Sequence, residues 1–128
     1  MAVETEPMTD EQRAAVVAII ARQNDQFRAA MPLGGRADLP GRLVCTTGIA
    51  QQGAEFLFNL QMAVAAFSDF SEDNDPWGDH TFGVITLAGV KVFWKIDLYD
   101  ENCEYGSDEP ENPERTHRVL TLLLPSEY

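Results

Sequence analysis

The densest run of chemically capable side chains is Asp73-Asn74-Asp75-Pro76-Trp77-Gly78-Asp79-His80. Carboxylates at 73, 75 and 79 beside an imidazole at 80 offer two kinds of chemistry. His80 next to Asp79 has the makings of a general base oriented by a carboxylate. Asp73-x-Asp75 with Gly78 follows part of a calcium loop. The first lacks a nucleophile to act on: Cys45 and Cys103 have no partner in sequence, and no Gly-x-Ser-x-Gly occurs. The second fails where calcium needs ligands, with Trp77 at the fifth loop position and Val84 at the twelfth, where a bidentate Glu is required. A nuclease-type strand with an acid two residues before its lysine is also missing, since Phe93 precedes Lys95. Gly34-Gly35 has neither the lysine nor the spacing of a phosphate loop. No catalytic residue, metal ligand or cofactor is therefore assigned. A metal-dependent hydrolase built on Asp73, Asp75, Asp79 and His80 stands as the alternative function.

The charge pattern says more. The 128 residues carry 21 acidic and 9 basic side chains, a net charge of −12, with a pI near 4.3. That balance argues against nucleic acid or an anionic membrane as a direct partner, because both reward Lys and Arg. Thirteen of the 21 carboxylates fall in two segments, Asp69–Asp79 and Asp97–Glu114, neither of which contains a Lys or Arg. A solubilising coat is the plain reading of such clusters. The functional reading is a docking surface whose carboxylates occupy the places of nucleic-acid phosphates on a basic groove. Its partner-binding residues are Asp73, Asp75, Asp79, Asp100, Glu101, Glu104, Asp108, Glu109 and Glu111, with Trp77 and Tyr99 as apolar anchors. A Trp in a turn of this kind is more often tucked onto the sheet than exposed, although an exposed one makes a strong interface anchor.

The elements that must carry these loops follow from periodicity. Thr9 suits an N-cap with Gln12 closing a capping box, and Val16, Ile20, Phe27 and Met31 then recur at helical spacing. Arg13, Arg22 and Arg28 are expected on the wet side. A strand is predicted over 42–49, and a second helix over about 52–67 with Phe56, Leu60, Ala63 and Phe67 on one stripe. Its near lack of charge marks it as the more deeply buried of the two helices. A hairpin is predicted at 81–87 and 90–99, turning at Ala88-Gly89. Val90, Val92, Trp94, Ile96 and Leu98 alternate strictly and face the core, leaving Lys91, Phe93, Lys95, Asp97 and Tyr99 outside. Lys91, Lys95 and Asp97 suggest cross-strand charge pairing. Arg118 to Leu124 is a last strand, its apolar run marking an interior place in the sheet. Arg115 and Arg118 are expected in structural ion pairs. The order α-β-α-β-β-β predicts an α+β fold: a mostly antiparallel sheet of about four strands with two helices on one face.

Residues 1–128 are expected to form a single domain with 1–8 flexible. No basic segment opens the chain, and no apolar stretch approaches the roughly 18 residues of a membrane span. Two cysteines without CxxC spacing are too few for a disulfide scaffold. A cytoplasmic setting with reduced thiols is the expectation.

A set of local motifs carries a family resemblance. Asp69-Phe70, Asn74-Asp75-Pro76, Gly78, His80 and Phe82-Gly83 form its centre. Trp94-Lys95-Ile96-Asp97, Tyr99-Asp100, Tyr105-Gly106-Ser107, Arg118-Val119-Leu120-Thr121 and Glu127-Tyr128 continue it. Over about 46–128 the chain resembles the domain of unknown function 3768 family, small bacterial proteins seen mainly in alphaproteobacteria and often encoded on plasmids. It departs from the pattern at Asp79, where Glu is usual, and at Thr81, where Asp is usual, which thins the case for a metal or acid–base centre. The resemblance transfers no catalytic residue. It implies a mobile-element setting, which accords with a non-enzymatic acidic inhibitor of a nucleic-acid-handling defence complex, of the anti-CRISPR or anti-restriction type. The partner would be a basic protein surface on a nucleic-acid-binding effector or nuclease.

Overall fold

Helix α1 (Asp10–Ala30) starts where its capping residues place it: Thr9 Oγ1 accepts from the Gln12 N–H at 3.1 Å, and Gln12 Oε1 accepts from the Thr9 N–H at 2.8 Å. The computed structural model describes residues 7–128, so most of the N-terminal segment expected to be flexible lies outside the described residues. A 3₁₀ turn at Met31–Leu33 leads to β1 (Gly41–Cys45), then a single helical turn α2 (Thr47–Ala50) and helix α3 (Ala54–Ala65). Strands β2 (Phe82–Leu87), β3 (Val90–Tyr99) and β4 (His117–Leu123) follow, and a 3₁₀ turn at Pro125–Glu127 ends the chain's regular structure.

The fold is α+β, with a four-stranded sheet in the order β1-β4-β3-β2. The β2–β3 and β3–β4 pairs are antiparallel, and β1 runs parallel to β4, so the sheet is mixed. β4 is interior, as its apolar run implies, while β1 and β2 form the edges. The β2–β3 turn uses Ala88 and Gly89 at φ 51° and 77°, two left-handed residues whose twist matches that of the hairpin.

Register separates the two faces. Leu43, Leu120, Ile96, Trp94, Leu122 and Val92 share one face and pack with Phe27 of α1 and with Leu60 and Val64 of α3. Each large apolar side chain fully buried there contributes about 1.5–3 kcal/mol. At Gly83, paired with Trp94 across β2 and β3, an added Cβ would sit inside van der Waals contact of the indole ring, so only glycine admits the Trp at this register.

Several expectations need correction. The first strand ends at Cys45 rather than residue 49, because after Thr46 the chain turns into α2, which delivers Ile49 to the core at zero exposure. The second helix is shorter than predicted, and it is not buried along its whole length. Phe58 and Met62 stand exposed on α3, whereas α1 buries Ile20, Ala21, Asn24, Phe27 and Arg28. Arg28 is thus not on the wet side. Its guanidinium lies 4.6 Å from the Trp94 ring centroid and 5.3 Å from that of Phe70, so aromatic faces replace water. Lys95 pairs with Asp97 two residues along its own strand, at 3.1 Å, rather than across strands.

Candidate functional site

The loop before β2, the loop between β3 and β4, and the start of β4 all lie at one end of the sheet. Two consecutive residues of α1 hold both loops by their backbones. Asn24 Nδ2 donates to the Asp79 carbonyl at 2.9 Å, and Gln23 Nε2 donates to the Glu111 carbonyl at 2.9 Å. Arg118 organises this pair from β4, with Nε donating to Asn24 Oδ1 at 2.9 Å and Nη2 to Gln23 Oε1 at 2.8 Å. Arg118 is fully buried and forms no ion pair among the described residues, a correction to the expected structural salt bridge. Burial without a carboxylate pushes its guanidinium pKa down to about 10.

The first loop is fastened a second time. Asp25 on α1 accepts from Arg28 and from His80 Nδ1, the latter at 2.9 Å. The His80 ring stacks on Phe70 at 3.8 Å between centroids, 2° from parallel. Nδ1 facing a carboxylate must carry the proton, so Asp25 fixes the tautomer. Desolvation lowers the Arg28 pKa, an effect that Asp25 opposes. Within the loop, Asn74 Oδ1 accepts from the Ser71 N–H and Asn74 Nδ2 donates to the Asp69 carbonyl, both at 2.8 Å.

The predicted site residues divide. Asp75 is turned inward, its Oδ1 accepting from the His80 N–H and its Oδ2 3.6 Å from His80 Nε2. Asp79 accepts from the Thr81 hydroxyl, and Asp100 from the N–H groups of Asn102 and Glu104. Glu101 and Glu109 share Arg115 at 3.2 and 3.8 Å. Asp73, Glu104 and Asp108 are exposed and unpaired among the described residues, and Glu111 is half-buried with its carbonyl on Gln23. Trp77 is 81% exposed, so it does not tuck onto the sheet. Its neighbours Asn74 and Asp75 spend their side chains on the loop and His80, which leaves the indole at the loop's tip. No three His, Cys, Asp or Glu side chains among the described residues converge as metal ligands.

Tyr99 belongs elsewhere. It lines an open groove of about 620 Å³ on the sheet face away from the helices, together with Arg42, Lys95, Val119, Thr121 and Glu127. Sequence reasoning assigned only Tyr99 there, as an apolar anchor for the acidic surface. The alternation that sends Lys95, Asp97 and Tyr99 to the outer face was legible, but which strands flank β3 was not. Across the groove rim, Glu127 accepts from the Thr46 hydroxyl at 2.6 Å, the Gly48 N–H at 3.0 Å and the Leu124 N–H at 2.9 Å.

These features define a small α+β protein with an acidic end and an uncovered sheet face. The chain belongs to a family described as a protein of unknown function, DUF3768, whose model matches residues 45–127. Searches of curated proteins and of solved structures find no match. The family match takes in every element from the end of β1 onward and leaves out α1, the helix to which both acidic loops are fastened.

Proposed function

We propose that the chain is a non-enzymatic acidic binding protein that docks on the basic groove of a nucleic-acid-handling enzyme and inhibits it, as an anti-CRISPR or anti-restriction protein would. The observation that carries this reading is the fastening of both carboxylate-rich loops to Gln23 and Asn24 through the carbonyls of Glu111 and Asp79. Backbone anchoring holds the loops while leaving Asp73, Glu104 and Asp108 free to meet Lys and Arg, and a preorganised surface loses less entropy on association. Trp77 supplies the apolar anchor that such an interface concentrates its affinity on.

The test is retention of a partner by tagged protein at low and high salt, with elution by added DNA. The control is a variant carrying Asp73→Asn, Glu104→Gln, Asp108→Asn and Glu111→Gln. Recovery of a nucleic-acid enzyme that salt and DNA release, and that the neutralised variant fails to hold, supports the reading. Equal retention by parent and variant overturns it. Divalent cations, which stabilise a folded metal site by mass action, leave the melting temperature unchanged on this reading.

A further inference from the structure

We propose that the outer face of the sheet is a binding site for a small molecule bearing one carboxylate on an apolar body, a role separate from that of the acidic end. Val44, Val119 and Leu123 line the groove on the face without helices; Val44 is 37% exposed, whereas Val119 and Leu123 are already covered by their neighbours at 6% and 3%. Tyr99 and Tyr128 stand at its margins. Its volume of about 620 Å³ lies in the range that small-molecule sites occupy, roughly 300–1,000 Å³.

Charge selects the ligand. Both carboxylates lining the groove are already committed, Asp97 to Lys95 at 3.1 Å and Glu127 to Thr46, Gly48 and Leu124. Arg42, exposed on β1 beside Val119, has no carboxylate partner among the described residues. In a chain with 21 acidic and 9 basic residues, an unpaired guanidinium next to the exposed Val44 side chain is complementary to an anion with an apolar body. The planar fork of Arg matches a carboxylate through two parallel hydrogen bonds.

The probes are 2-naphthoate and its neutral counterpart 2-naphthamide, titrated by ligand fluorescence into the full chain carrying Cys45→Ala. Naphthoate saturates a single site, and naphthamide binds about tenfold more weakly or less. Arg42→Gln lowers naphthoate affinity to that of the amide. Lys91→Gln, which removes the same charge from the same face outside the groove lining, leaves it unchanged. Bound naphthoate also slows alkylation of Cys103, an exposed thiol lining the groove. Equal affinities for acid and amide, an Arg42→Gln variant that binds like the parent, or no saturation of either probe below about 5 mM overturns the proposal. None of these outcomes bears on the acidic end, because no loop carboxylate is altered.

Discussion

Arg118 on β4 donates its Nε–H to Asn24 Oδ1 on α1 at 2.9 Å, and neither side chain is exposed. A buried guanidinium thus rests on neutral amides, and its Nη1 finds no partner among the described residues. The two ends of this contact are not equivalent. Asn24→Leu strands the buried charge and frees the Asp79 carbonyl, and should cost about 3 kcal/mol or more. Arg118→Met removes the charge and orphans two amide oxygens, those of Asn24 and of the half-buried Gln23, at about 1–2 kcal/mol. Denaturant unfolding should therefore rank Asn24→Leu below Arg118→Met, with the double variant more stable than Asn24→Leu alone. The opposite ranking would mean that Arg118 is compensated in some other way.

The same burial sets a pH dependence. The folded-state pKa of Arg118, about 10, lies well below that of a free guanidinium. Between those values the unfolded chain binds the extra proton, so this group's contribution to stability rises with pH, and its cost is fully present below pH 10. The parent should gain stability relative to Arg118→Met as pH climbs from 9 to 11. A flat difference between them would contradict the charged, desolvated state.

Much of the frame was legible in the sequence, and the reason is locality. Thr9 and Gln12 cap a helix through contacts three residues apart, and the alternation from Val90 to Leu98 needs only one strand's geometry. Arg28 and Arg118 were misplaced because their burial depends on partners far along the chain: Phe70 and Trp94 for the first, Gln23 and Asn24 for the second. Helical spacing put Arg28 on the wet side, and only tertiary packing supplies the rings that replace water. The parallel β1–β4 pairing was equally hidden, since nothing in β1 names its neighbour. The acidic segments could be read, but not that Asp75 turns inward or that Trp77 stays out.

Gly83 tests the packing beneath the acidic loops. An alanine Cβ there would press on the Trp94 indole, which is fully buried and borders Phe67 and Phe70. Gly83→Ala should destabilise by about 1–3 kcal/mol, the range for overpacking, and shift Trp94 emission to the red. A neutral substitution would show that the hairpin relaxes freely at this register.

Glu127 should act as a pH-sensitive clamp on the chain's last turn. Hydrogen bonds from the Thr46 hydroxyl and then from the Leu124 and Gly48 N–H groups hold its carboxyl below the ordinary range. A depressed carboxylate stabilises the folded form above the unfolded pKa, and that contribution disappears as pH falls through the folded value. Amide exchange at Gly48 and Leu124 should therefore quicken only below the usual glutamate pKa of about 4.3. Glu127→Gln should abolish that dependence. Protection that persists unchanged at low pH would remove the clamp from the account.

Trp77 and Trp94 are the two tryptophans of the chain, one 81% exposed and the other fully buried. Acrylamide should quench one emission component readily and the other hardly at all, with Trp77→Phe deleting the accessible one. Because the indole is 81% exposed and makes no aromatic contact among the described residues, Trp77→Ala should alter stability by no more than about 0.5 kcal/mol. If the loop tip is an interface anchor, the same change should weaken partner binding by about 2 kcal/mol, some thirtyfold. A variant that unfolds easily would instead assign Trp77 to the fold. One that folds and binds like the parent would confine docking to the carboxylates.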